Sequence, residues 1–431
     1  QQASNPFTRG TAARLGGVTP AEGLLTDPIA ETALLGLIEV RRAKASALRA
    51  LRRVKEADDL LVATSELARG NGVDRPIVAA PLYRTMGVTA AALGAHEPAI
   101  DRFTRSALNY QGAMPGSRAQ ADTNLQYADQ LVRSGKSLNA LDYCRSAVAS
   151  LIELTASTTP ELIAPCLKAY FDSIGGQTGQ NQTMIGEMFV ASQLGQSGIV
   201  SQQISQASAN LAENSRNPKV GAAIRKQRDL KVELSGLYDR RDVLAAERDR
   251  FGGGGGAQQE DSDRLEARIR DVQTKLAEAD SELQAASPNF GQLTPQTVKA
   301  DAIYPLLHPG EAFVSLSTNQ TEGWIFVLRD GRISVSRIAL GREGVGKLVQ
   351  AIRASIENVD NRGRPPPFDV ASARALFDAV FAPAMPRLEN ATSVVVAPSG
   401  PLLSLPMELL LTGAASNDNL PDAPWLVRKF R

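Results

Sequence analysis

Residues 341 to 347 read Gly-Arg-Glu-Gly-Val-Gly-Lys, the Gly-x4-Gly-Lys spacing of a phosphate-binding loop, after a strand-like run and before a helical one. In such a loop the backbone amides surround phosphate and the lysine contacts it. Here Leu348 stands where magnesium needs a Ser or Thr hydroxyl. No later strand ends in a metal-holding Asp, because Val394 to Val396 run into Ala397-Pro398. The segment is read as a glycine turn that starts a helix, with Lys347 on the exposed face.

The remaining reactive side chains are few. Histidine is limited to His96 and His308, and cysteine to Cys144 and Cys166. His308 sits in Leu307-His308-Pro309-Gly310, the setting of a turn residue, and no Gly-x-Ser-x-Gly elbow occurs. Two cysteines without neighbouring His or Asp do not make a metal site. No catalytic residue, metal ligand or cofactor-binding residue is therefore assigned in this chain.

Cys144 and Cys166 fall on successive helices, with a turn near Thr155 to Pro160. Cys166 is nearer that turn, so the two face each other only if the turn is offset. Two readings stand. A disulfide would favour an exported or periplasmic, oxidising location, and two buried thiols would suit a cytosolic helix pair.

The elements that would position these groups are mostly helical. The chain has 431 residues, enough for two to four domains, and a net charge of +1, which gives no argument for nucleic acid or a membrane surface. No apolar run is long enough to span a bilayer. The first residue is Gln, which fits a removed signal peptide or numbering that starts inside the gene. Residues 1–26 lack periodicity and read as a loose arm. Asp27-Pro28 then marks a helix start, with Asp at the cap and Pro in the first turn.

Three segments then align. Ala45, Gly87 and Ala128 are separated by 42 and 41 residues. Ala57, Ala99 and Ala140 follow each by 12; Leu61, Phe103 and Cys144 by 16; Thr64, Ser106 and Ala147 by 19. Small residues at such offsets allow two antiparallel helices to cross closely, and the larger residue fills the neighbouring gap. Gly94-Ala95-His96 and Ser134-Gly135-Lys136 fall between the helices, where a turn needs Gly. The spacing resembles a long variant of the tetratricopeptide repeat, over residues 27–175 with a weaker fourth unit at the end. Tyr83 fits the family's aromatic pattern; Asn124 holds the equivalent place one unit later. The resemblance implies a groove lined by the first helix of each unit. Its positions map onto Arg42 and Arg49, then Arg84, then Asp129 and Arg133, and it would receive a protein or peptide partner, acidic if the basic balance matters. A solvated helix face is the alternative.

Residues 176–220 are rich in Gln, Ser, Asn and Gly, with a helix over Met184 to Leu194, and read as a cap on the repeat stack. Over 221–290, Leu230, Leu234, Leu237, Leu244 and Phe251 form one apolar seam, interrupted by Arg241 and Arg248. Leu265, Ile269, Val272, Leu276, Ala279 and Leu283 form another, and Gly252 to Gly256 lie between. The pattern predicts an antiparallel coiled-coil hairpin that would serve as a spacer or as an oligomer contact.

From 291 the period becomes strand-like. Strands are expected over Ala312 to Ser317, Trp324 to Leu328 and Ile333 to Ile338, with a hairpin at Asp330-Gly331. Helices follow over Arg342 to Asn358 and Val370 to Phe381. Val394 to Ala397, closed by Pro398-Ser399-Gly400, reads as a strand buried on both faces.

This region resembles the N-terminal part of the CHAT domain, a caspase-like cysteine peptidase domain found behind tetratricopeptide repeats in bacteria. The matching pieces are Tyr304-Pro-Leu-Leu-His-Pro-Gly-Glu-Ala, Trp324-Ile-Phe-Val-Leu with Asp330-Gly331, Ala373-Arg-Ala-Leu-Phe, Phe381-Ala-Pro, Trp425-Leu-Val-Arg and, most specific, Val395-Val-Ala-Pro-Ser-Gly-Pro-Leu-Leu-Ser-Leu-Pro. The resemblance implies an incomplete α/β domain after the mostly α repeats and coiled hairpin. It also implies a His/Cys dyad on later strands, in a C-terminal CHAT segment missing from this chain. Such a partial sheet would expose an edge, with a further segment completing it or disorder near residue 431. Two functions follow: the partner-binding, regulatory portion of a CHAT-type cysteine protease, or a non-catalytic scaffold with a degenerate CHAT half.

Overall fold

A computed structural model describes residues 28–154, 156–175, 181–196, parts of 222–241, 256–286, 297–358 and 366–430. The arm expected over 1–26, the seam residues Leu244, Arg248 and Phe251, and Gly252 to Gly255 lie outside the described residues. The chain is mostly helical, with a four-stranded sheet in its C-terminal part. It divides into two compact units, residues 1–136, 142–150 and 201–295, and residues 137–141, 151–200 and 296–431.

The first unit is built from helices α1 (Pro28–Ala50), α2 (Val54–Gly70), α3 (Pro76–Ala92), α4 (His96–Ala113) and α5 (Arg118–Arg133), with residues 142–150 of α6 (Ser137–Glu153). The residues at offsets 0, 12, 16 and 19 of all three segments are buried. The reason is visible at Gly87: a Cβ there would lie 3.0 Å from three ring atoms of Phe103. Small residues at one position thus make room for large ones at the other.

The turns repeat as well. Arg52, Gly94 and Gly135 all have positive φ, at 63°, 75° and 72°. The residue after each donates its amide to the carbonyl five back: Arg53 to Leu48, Ala95 to Ala90, Lys136 to Leu131. This is a Schellman-type helix end at one repeat spacing. Ion pairs add to the stack. Arg102 of α4 meets Asp58 of α2 at 2.6 Å, and Arg75 meets Glu31 of α1.

Helix α9 (Gly256–Ala286) supplies the second apolar seam. Leu265, Ile269 and Val272 pack with Leu234 in one buried cluster, joined by Leu230, Leu237 and Leu276. Lys226 pairs with Glu282 and Arg268 with Glu233, so rising numbers on one side meet falling numbers on the other, the mark of an antiparallel pair.

The second unit contains α7 (Pro160–Ile174), α8 (Gln182–Leu194), α10 (Ala300–Ile303), α11 (Arg342–Glu357), α12 (Val370–Val380) and α13 (Met385–Leu388). Its strands are β1 (Glu311–Thr318), β2 (Gly323–Arg329), β3 (Arg332–Ile338) and β4 (Ser393–Ala397), in the order β3-β2-β1-β4. β1, β2 and β3 are antiparallel, and β4 is parallel to β1. Asp330 and Gly331 both have positive φ, as a tight hairpin of this hand requires.

Alternation sorts the strand residues onto two faces. Ala312, Val314, Leu316, Ile325 and Val327 share a core with Val345, Val349 and Ile352 of α11 and Leu376, Phe377 and Val380 of α12. On the opposite face Phe189 of α8 meets Phe326 edge-on, with centroids 5.5 Å apart.

Two expectations change here. The segment expected to cap the repeats packs α8 both on α7 and on the sheet, within the second unit. Its glutamines are the reason. Gln182 accepts from the Ile333 amide at 2.8 Å and donates to the Ile333 carbonyl at 2.9 Å. β3 is an edge strand, so those backbone groups need such a partner. Gln193 does the same for Val298, and Gln196 donates to the Leu316 carbonyl at 3.0 Å.

The second change concerns β4. It is an edge strand, not a strand buried on both faces. Val394 and Val396 pack against the core, while Val395 is 45% exposed. Among the described residues only β1 pairs with it.

Candidate functional site

The groove positions read from the sequence lie on α1, α3 and α5, and α3 contacts both of the others. Their side chains bridge from helix to helix. Arg49 of α1 donates to the Thr89 hydroxyl of α3 at 3.4 Å. Arg84 of α3 donates through Nε to Gln126 of α5 at 2.9 Å, with Asp122 at 3.7 Å. Arg42 is held by Glu39 on its own helix, and Arg133 by Asp129 at 2.8 Å. Asp129 therefore compensates a neighbour and presents no free negative charge to a ligand.

This pairing separates the four arginines. Arg42, Arg84 and Arg133 each have a carboxylate partner. Arg49 is half-buried, its hydrogen bond goes to a neutral hydroxyl, and burial pulls its pKa below the ordinary arginine value. Among the described residues no carboxylate pairs with Arg49, and a partly desolvated guanidinium without an anion favours binding one. Tyr110, 5% exposed, lies near Arg84 and Arg42. Burial pushes its phenol up, against the opposing pull of Arg84 and Arg42.

Sequence reasoning missed Thr89, Tyr110, Asp122 and Gln126. Thr89 and Gln126 lie within two residues of Gly87 and Ala128, close to the helix crossings, which was the available signal. Tyr110 had none, because it reaches the groove from a second helix.

Of the other reactive residues, His96 connects to these positions through Gln130, whose side-chain amide donates to Asp129 at 2.8 Å. His96 Nδ1 lies 3.3 Å from the Gln130 side chain, and His308 is exposed in its turn. Neither cysteine is a free thiol; both are disulfide-bonded, so neither sulfur is a thiolate nucleophile in this form. Lys347 is spent on Glu343 one helical turn back, at 2.7 Å, with both side chains largely exposed. Gly341 is required by packing: a Cβ would lie 2.0 Å from the Gln320 carbonyl oxygen. The loop-like motif thus follows from a close approach of backbone to backbone. No group of three or more His, Cys, Asp or Glu side chains among the described residues could hold a metal ion. No helix among them is long and apolar enough to cross a membrane.

Comparison of the chain with models of known families, with curated proteins and with solved structures returned no match.

Proposed function

We propose that this chain is the partner-recognition and regulatory portion of a CHAT-type, caspase-like cysteine protease, with its tetratricopeptide-like hairpins binding a protein or peptide. The observation that carries the reading is Arg49. It is a half-buried guanidinium on the inner helices, paired among the described residues only with a hydroxyl while its neighbours have carboxylates. An acidic side chain or a peptide carboxylate would complete it.

The protease half of the reading is supported by β4, which among the described residues pairs only with β1. A partial α/β sheet accepts further strands at such an edge, and in CHAT proteins those strands bring the dyad. The second reading, a non-catalytic scaffold, is favoured by Cys144 and Cys166 both being disulfide-bonded. A cysteine-reactive peptide probe separates the two: labelling favours the protease, and none favours the scaffold.

The recognition test is a titration of acidic peptides against the wild-type chain and Arg49→Gln, with the Arg42/Arg84/Arg133 triple alanine variant beside it. Arg49→Gln is expected to weaken binding more than any one of the paired arginines. Equal affinity in wild type and Arg49→Gln would sink the groove reading.

A further inference from the structure

We propose that the carboxyl ends of β1 and β4, with the N-terminus of α11, form a binding site for a compact oxyanion, a carboxylate or phosphate group, held by Arg342, Thr318 and Ser399. The proposal is independent of the repeat groove.

Three side-chain atoms carry it. Thr318 ends β1 and is 4% exposed, yet its Oγ1 has no hydrogen-bond partner. Ser399 Oγ, just past β4, is also buried without a partner, and so is Arg342 Nε in the first turn of α11. Such orphaned groups are rare and costly in a folded protein, because each loses its water without replacement.

Thr318 Oγ1 and Arg342 Nε meet at Gly400, the residue after Ser399. A Cβ on that residue would lie 3.3 Å from Thr318 Oγ1 and 4.0 Å from Arg342 Nε. Gly400 is exposed and has a φ of +56°, so approach to the cluster is blocked by no side chain at that position.

The backbone around the cluster favours an anion. No side chain caps α11, whose N-cap is Gly341. Of its first-turn amides those of Glu343 and Gly344 have no acceptor among the described residues, and they and the positive end of the dipole are open to a ligand. The loop after β1 closes one flank, where the Arg342 amide donates to the Asn319 carbonyl at 2.7 Å. Pro401 closes the other, 3.7 Å from where a Cβ on Gly346 would lie. Crevices beyond the carboxyl ends of parallel strands are the usual ligand position in α/β sheets.

The nearby carboxylates leave room. Glu343 turns to Lys347, and Glu161 lies 3.4 Å from Nη1 of Arg342, while Arg342 Nε has no hydrogen-bond partner. Donors and hydroxyls converge on one spot, which fits an oxyanion better than a cation.

The test is the melting temperature of the full chain, titrated with inorganic phosphate and, separately, with acetate, against chloride at matched ionic strength. A saturable rise is expected with at least one. Phosphate alone identifies a phosphate-bearing ligand, acetate alone a carboxylate, and both a general oxyanion site. Arg342→Gln and Thr318→Val are expected to raise the half-saturating concentration by about tenfold or more. Lys347→Ala is expected to respond like wild type. Should Thr318→Val not fold, Ser399→Ala takes its place. The proposal fails if neither anion acts beyond chloride, or if Arg342→Gln responds like wild type.

Discussion

Gly87 of α3 lies directly against the ring of Phe103 on α4, close enough that a methyl group at Gly87 would meet three ring atoms at 3.0 Å. Phe103 is 1% exposed and has little room to withdraw. Gly87→Ala is therefore expected to destabilise the chain, since overpacking costs about 1–3 kcal/mol against a helix-propensity gain of about 1 kcal/mol. Gly36→Ala is the control. It lies on α1 with nothing within 4 Å of its added Cβ, and a gain of about 0.5–1 kcal/mol is expected. Denaturant melts of both decide whether close crossing or glycine itself sets the position.

Arg52 occupies the turn place that Gly94 and Gly135 hold in the next two repeats. A left-handed backbone costs a residue with a Cβ about 1–2 kcal/mol. Glycine's greater freedom when unfolded offsets part of that, so Arg52→Gly is expected to stabilise by about 0.5–1 kcal/mol. Gly94→Ala should destabilise by a similar amount. A fall in melting temperature for Arg52→Gly would contradict the account.

Gln182 satisfies both backbone groups of Ile333 on the β3 edge. Gln182→Ala leaves them without that partner and is expected to cost about 1–3 kcal/mol. Hydrogen exchange at the Ile333 amide should quicken with little change at Val327, in the centre of the sheet. Unchanged Ile333 protection would show that α8 is held by Phe189 and its neighbours alone.

Lys347 and Glu343 make an exposed pair on one helix face. Lys347→Ala is expected to leave the melting temperature unchanged and to create or abolish no response to ATP or GTP. A nucleotide-induced rise lost in this variant would restore the phosphate-loop reading.

What could be read from the sequence was whatever short-range pattern controls. The offsets from Ala45, Gly87 and Ala128 were legible because close helix crossings tolerate only small residues, and they recur at a set spacing. Asp330-Gly331 announced its hairpin because few residue pairs accept two positive φ values. The seam Leu265, Ile269, Val272 followed from heptad spacing.

Tertiary structure alone decided the rest. The Gln-rich segment around α8 packs on the sheet because Ile333, 151 residues away, offers an unpaired edge. Val395 has the composition of a buried strand residue, but its exposure depends on which neighbours β4 finds. Arg42, Arg49, Arg84 and Arg133 looked alike, and only the fold shows which one lacks a carboxylate partner among the described residues. Thr318, Arg342 and Ser399 are ordinary residues far apart in the chain; the parallel pairing of β1 with β4 brings their ends together, and no local pattern encodes that meeting.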